Sequence, residues 1–223
     1  MNIKFIKKLR IDNDYSQDYV SKEIGISRAS YISVEQDKRQ LSLNEADALC
    51  KLYRISISDL VSNNKKKHKK YEQMLFVFLR AITGEKKIPK TKLAKLLYLS
   101  DFAWFYNKHE SMSGLEYRKF EHGPVPDYYF RLLEELESDS KIIIESKEKA
   151  LLISETRVGE KVGEDLISGE EKKLIKKIVK RWDNKNTKEI VGFAHSQIPY
   201  TFVDKGDIIP YELITQEDPE HVY

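Results

Sequence analysis

The chain has 223 residues, 40% hydrophobic and 34% charged, with 39 Lys/Arg against 36 Asp/Glu and a single cysteine. That length allows one large domain or two smaller ones, and two are expected. No apolar run approaches the ~20 residues a membrane span needs, and the basic start MNIKFIKKLR lacks the apolar stretch and cleavage site of a signal peptide. Cys50 has no internal partner and sits in an apolar helical pattern, which suits core filler in a reducing cytoplasm. The charge is unevenly placed. Residues 1–62 hold ten Lys/Arg and nine Asp/Glu, residues 63–70 add five lysines, and residues 71–223 hold 24 Lys/Arg against 27 Asp/Glu.

Residues 3–60 read as short amphipathic helices separated by polar turns. The first supplies Ile3, Ile6 and Leu9 to a core; the second, capped by Ser16, supplies Tyr19, Val20 and Ile24 before Gly25 ends it. Ser27 caps a third helix with Tyr31 and Val34 turned inward and Arg28, Ala29, Ile32 and Ser33 on its other faces. A fourth opens with the capping box Ser42-Leu43-Asn44-Glu45 and buries Leu43, Ala46, Leu49 and Tyr53; Ile57 and Leu60 close the domain. Two helices joined across Gly25 by a few residues make a helix-turn-helix, in which the second helix can enter the major groove.

The run from Ser16 through Arg28, with Tyr31 to Arg39 and Leu41-Ser42-Leu43, resembles the Cro/repressor (XRE-type) family. The resemblance implies a five-helix, lambda-repressor-like domain over residues 1–62 that binds operator DNA. It places Gln17 on a backbone phosphate and Arg28, Ala29 and Ser33 along the base-facing side of the third helix, where Arg28 suits guanine and Ala29 a thymine methyl, with the cap Ser27 also among the DNA contacts. Lys38 and Arg39 become phosphate contacts, and Arg10 with Glu35 an internal ion pair. Asp37 stands where the family usually has glycine, and aspartate tolerates the left-handed turn required there.

Asn63 to Lys70 reads as a lysine-rich linker. Beyond it, Tyr71, Met74, Leu75, Phe78, Leu79 and Ile82 recur at helical spacing and begin a second core. Lys90 to Tyr106 is a helix apolar on most sides, hence central, which makes Asp101 conspicuous. Met112 to Phe120 is expected extended, with Gly123, Pro124 and Pro126 breaking the chain before a helix carrying Tyr129, Leu132, Leu133 and Leu136. Ile142 to Ile144 and Ala150 to Ile153 suggest a β-hairpin. Ser168 caps a helix with Leu174, Ile175, Ile178 and Trp182, and Asn186 to Ser196 form the next. The fold class is therefore mainly α: a helical N-terminal domain, then a helical α+β domain with a small hairpin.

Lys92 to Asp101, Ser113-Gly114-Leu115-Glu116-Tyr117 and His122-Gly123-Pro124-Val125-Pro126, followed by the helix ending Leu132-Leu133-Glu134-Glu135-Leu136, resemble the Panacea domain of SocA-type antitoxins. His195 to Tyr200 and Ile208 to Glu212 fit its closing segment. The resemblance implies that residues 71–223 neutralise a toxin protein, encoded by an adjacent gene, by direct binding. Tyr117, His122, Tyr128, Tyr129 and His195 are the candidate toxin contacts. Asp101, His122 and His195 could do acid-base work or hold a metal, but no pair has metal-ligand spacing, and no phosphate-cradling glycine loop or nucleophile elbow occurs. The expectation is no enzyme, no cofactor, no metal and no membrane. The chain would act as a cytoplasmic homodimer, because repression needs two recognition helices about one DNA turn apart. The alternatives are a transcription regulator with a ligand-sensing or dimerising second half, and a protease adaptor.

Overall fold

The computed structural model describes residues 3–55, 57, 60, 65–83, 86–148 and 150–223, the side chains of Lys4 and Lys65 excepted. It divides into two compact units, Met1–Lys66 and Lys67–Tyr223.

The first unit contains α1 (Ile3–Asp12), α2 (Gln17–Glu23), α3 (Arg28–Glu35) and α4 (Leu43–Tyr53). Ser16, Ser27 and Ser42 cap the last three by accepting hydrogen bonds from the backbone N–H three residues on, and Glu45 completes the capping box of α4. Ile6, Leu9, Val20, Ile24, Tyr31, Ala46, Leu49, Cys50, Tyr53, Ile55 and Leu60 form one core. Three expected core residues stay exposed, Ile57 among them at 43%. Leu43, the first residue of α4, is 81% exposed, because the turn after an N-cap radiates away from the buried face; Tyr19 stays at the surface against Tyr15, ring centroids 4.6 Å apart. Gly25 takes φ +74° and Asp37 φ +59°, so aspartate does occupy the left-handed turn after α3. The expected fifth helix and the boundary at residue 62 fall largely outside the described residues.

The second unit is built around two helices, α5 (Lys65–Ala81), which belongs to it from Lys67 onward, and α6 (Lys90–Lys108). Residues 65–70, expected as linker, are instead the first turns of α5. They are held by packing: His68 stacks on Tyr128 at 3.8 Å and Lys70 donates to Glu171 at 2.7 Å. Every residue from Lys92 to Ala103 is buried, as a helix apolar all round requires. Then follow α7 (Tyr128–Ser138), α8 (Gly169–Trp182), α9 (Thr187–Ser196) and the short α10 (Ile198–Thr201).

The expected hairpin pairs β4 (Ile142–Lys147) with β5 (Ala150–Glu155), Ile144 opposite Ile153, and β1 (Lys87–Pro89) extends it on the β5 side. A second sheet went unforeseen. It has the order β3-β2-β6, from β2 (Tyr117–Phe120), β3 (Gly123–Pro126) and β6 (Ile208–Ile209). Pro124 and Pro126, expected to break the chain, lie in β3, where prolines are tolerated because it is an edge strand and half of its N–H groups point away from the ladder. The C-terminal segment closes on α9. Gln197 donates to the carbonyls of His221 and Val222 at 2.8 and 2.9 Å, and Glu217 accepts from the backbone N–H of Ile198.

Candidate nucleic-acid interface and partner-binding domain

The helix-turn-helix is assembled from local signals. Gly25 turns the chain between α2 and α3, whose buried Val20, Ile24, Tyr31 and Val34 fix the second helix against the first. At its free end α3 presents Arg28 and Ala29, both exposed, with Ser27 as the cap between them and the turn. Neither Arg28 nor the exposed Lys38 forms an ion pair within 4 Å among the described residues. Ser33 lies half-buried one turn on and donates its hydroxyl to Ala29 O at 3.0 Å, which leaves its oxygen free only to accept. The Ser27 hydroxyl is engaged twice by Ser30, accepting from its N–H and donating to its Oγ.

Two expected phosphate contacts are committed elsewhere. Gln17 Nε2 donates to Glu35 Oε2 at 2.9 Å, and Glu35 also receives Arg10 Nε at 2.6 Å, so Gln17 belongs to the internal ion-pair network that ties α1, α2 and α3 together. Burial raises the Glu35 carboxyl, but the hydrogen bonds from Arg10 and Gln17 outweigh it and hold the group below its ordinary value. Arg39 Nη2 donates to Glu45 Oε1 at 2.7 Å and so braces the capping box of α4. Of the expected DNA contacts, Ser27, Arg28, Ala29 and Lys38 are exposed.

In the second unit Asp101 is fully buried on α6 and accepts from Ser113 N at 3.0 Å, from Ser113 Oγ and from Tyr117 Oη at 3.2 Å. It thereby fastens the start of β2 to the central helix. Lys95, two turns earlier, is 2% exposed and donates to Pro124 O at 2.9 Å. Gly123, at φ +96°, packs so closely that an added Cβ would lie 2.7 Å from Lys95 Cε and 2.9 Å from both Lys95 Nζ and His195 Nε2. His195 stacks flat on Tyr200 at 4.3 Å, and its pKa is lowered by burial and then by the charges of Lys95, His122 and Lys119. Sequence reasoning passed over Lys95. Its signal was a lysine in a run otherwise apolar on most sides.

Of the five candidate toxin contacts, three are core residues. Tyr117, Tyr128 and Tyr129 are 0%, 7% and 1% exposed, so they cannot anchor a partner from these positions. The cause is the polar handle of tyrosine, which lets the ring be buried once its hydroxyl finds an acceptor, as Tyr129 Oη finds Lys90 O at 2.6 Å. His122 is exposed and His195 half-buried. Asp101, His122 and His195 do not converge: Asp101 faces Ser113, while the two histidines meet at the Gly123 turn. Among the described residues no group of three or more His, Cys, Asp or Glu is placed to hold a metal, and no helix is long and apolar enough to cross a membrane.

Burial lowers Lys95 from 10.5 to about 7. A base lowered on folding leaves the unfolded chain binding more protons between the two values, so its penalty is full below pH 7 and is lifted as pH rises toward 10.5. The second unit of the parent should therefore gain stability relative to Lys95→Met from pH 7 to pH 10, on the order of a few kcal/mol. Parallel stability curves for parent and variant over that range, followed by tryptophan fluorescence, would refute it.

Residues 6–60 match the helix-turn-helix family model, and residues 93–199 match the model described as Antitoxin SocA-like, Panacea domain. Residues 6–60 are of helix-turn-helix type and residues 93–199 of Panacea type, joined in one chain. The families are thus of DNA-binding regulator and antitoxin type rather than enzymes. The cryptic phage CTXphi transcriptional repressor RstR of Vibrio cholerae is 30% identical over 60 residues, which are 27% of this chain and 54% of that repressor. The chain therefore spans about half the length of this curated relative. No solved structure matches the chain.

Proposed function

We propose that the protein is the antitoxin of a type II toxin–antitoxin pair. Its Panacea domain neutralises a toxin, encoded by the adjacent gene, by direct equilibrium binding, and its helix-turn-helix domain binds the operator of the shared operon and limits transcription. The observation that carries the reading is the union, in one chain, of a recognition helix with exposed Arg28 and Ala29 and a domain of the SocA-like antitoxin family over residues 93–199. The resemblance of the first domain to a transcriptional repressor supports repression as its task. The protein acts in the cytoplasm as a homodimer, which sets two α3 helices about 34 Å apart on a two-fold operator. Arg28 makes the base contact to guanine, Ala29 packs on a thymine methyl, Ser33 accepts from a base amino group and Lys38 holds a phosphate.

Two readouts test the two halves. Arg28→Ala should weaken operator binding by roughly 1–3 kcal/mol in a salt-controlled gel shift, while neutralisation of the toxin in a growth assay is unchanged. Equal operator affinity of parent and variant would remove Arg28 from the interface. Co-expression with the adjacent gene should rescue growth and co-purify its product. A harmless neighbour with nothing co-purifying would instead favour a transcription regulator whose second half senses a ligand or dimerises.

A further inference from the structure

Helix α8 carries a charge distribution that neither the fold nor the proposed pairing uses. Its capping box Ser168–Glu171 starts it, and Glu171, Ile175, Ile178, Val179 and Trp182 turn into the core. The opposite face is lysine. Lys173, Lys176, Lys177 and Lys180 are all exposed, and none forms an ion pair within 4 Å among the described residues. The bases at the margins of this face are committed: Lys172 pairs with Glu164 at 2.7 Å, and Arg181 donates to Glu220 O at 3.1 Å. Glu170, one turn before Lys173, is taken by Lys108 at 2.9 Å.

The segregation runs against the local balance. Residues 71–223 hold more acids than bases, and Lys70, Lys87, Lys108, Lys141, Lys185 and Lys205 each have a carboxylate within 4 Å. On α8 the four lysines stand three and four residues apart, so like charges are stacked along one face, and each such pair disfavours the helix. A bound polyanion removes that repulsion.

We propose that the lysine face of α8 binds the phosphate backbone of duplex DNA without reading sequence. The residue types select this occupant over an acidic protein. Protein interfaces are depleted in lysine at their centres and rely on aromatic and arginine anchors, and this face has neither between Lys173 and Lys180. Lysine is a flexible point charge that follows phosphates without demanding a fixed geometry. The face is roughly 10 Å long at helical rise, enough to track about three phosphates of one strand. The proposal does not rest on operator recognition by α3, because its probe contains no operator.

The test is a salt titration of the full-length protein against a labelled 30-bp duplex of random sequence, read by fluorescence anisotropy. Neutralising all four lysines as Lys→Gln should reduce the slope of log K against log salt by roughly 2 to 3.5, and lower the affinity in moderate salt about tenfold or more. The double variants Lys173→Gln/Lys177→Gln and Lys176→Gln/Lys180→Gln should each remove about half of that, which serves if the quadruple variant folds poorly. Lys→Arg at all four positions should keep the parental slope. Lys→Gln at the exposed Lys147, Lys161, Lys188 and Lys205 removes the same charge elsewhere and should change the slope by less than one. The proposal is overturned by an unchanged slope in the α8 variants, or by an equal fall in that control. A third overturning result is loss of toxin co-purification in the α8 variants while the DNA slope stays the same.

Discussion

Replacing Gly123 with alanine should lower the stability of the second unit by about 2–4 kcal/mol. Two costs combine. The residue sits at φ +96°, where an L side chain is strained, and its Cβ would meet Lys95 Cε at 2.7 Å and His195 Nε2 at 2.9 Å. Neither neighbour yields freely: Lys95 is held to Pro124 O in the core, and the His195 ring is stacked on Tyr200. Both tryptophans of the chain, Trp104 and Trp182, belong to this unit, so fluorescence melting reports it without interference from the helix-turn-helix. Gly169→Ala, at a position where an added Cβ meets nothing within 4 Å, is the control and should cost less than about 1 kcal/mol. If Gly123→Ala melts with the control, the close approach of β3 to α6 is not a constraint. If it melts early, toxin binding should fall with it while operator binding persists, since the two activities are assigned to different units.

What could be read from the sequence was what is decided locally. Ser16, Ser27, Ser42 and Ser168 each cap the helix they were expected to cap, because a cap is settled within three residues; Asn186, expected as the first residue of its helix, is the cap before it. The central placement of α6 followed from an apolar surface that leaves no solvent face. The β3-β2-β6 sheet was hidden because β6 reaches β2 from some ninety residues away, Ile209 opposite Tyr117, and because two prolines in four residues disguise β3. The same limit governs the site. Gln17 and Arg39 look like free phosphate donors until Glu35 and Glu45 are seen beside them, and pairing with a carboxylate is a tertiary fact. Arg28 and Ala29 need no such knowledge, since the first turn of a capped helix after a tight turn is exposed by construction.

Removing the Asp101 carboxylate should be the most damaging single change in the second unit. Asp101→Ala strands three buried donors, Ser113 N–H, Ser113 Oγ–H and Tyr117 Oη–H, and frees the start of β2 from α6. A buried network broken at its shared acceptor costs about 3–5 kcal/mol, more than deleting one bond, because every donor is left desolvated. Asp101→Asn keeps one acceptor but turns an amide N–H₂ toward donors, so it should fall between parent and alanine. The pH dependence separates the carboxylate from a merely space-filling residue. Burial pushes Asp101 up, and the opposing hydrogen bonds from Ser113 do not cancel it, so its folded value lies above the ordinary 3.8. An acid raised on folding takes up its proton more readily in the folded chain, so its penalty is lifted as pH falls through the folded value toward 3.8. The stability gap between parent and Asp101→Asn should therefore widen on acidification across that window, in urea melts followed by tryptophan fluorescence. A gap that stays constant with pH would mean that the group titrates alike in the folded and the unfolded chain, and one that narrows would mean that the hydrogen bonds outweigh the cost of burying its charge.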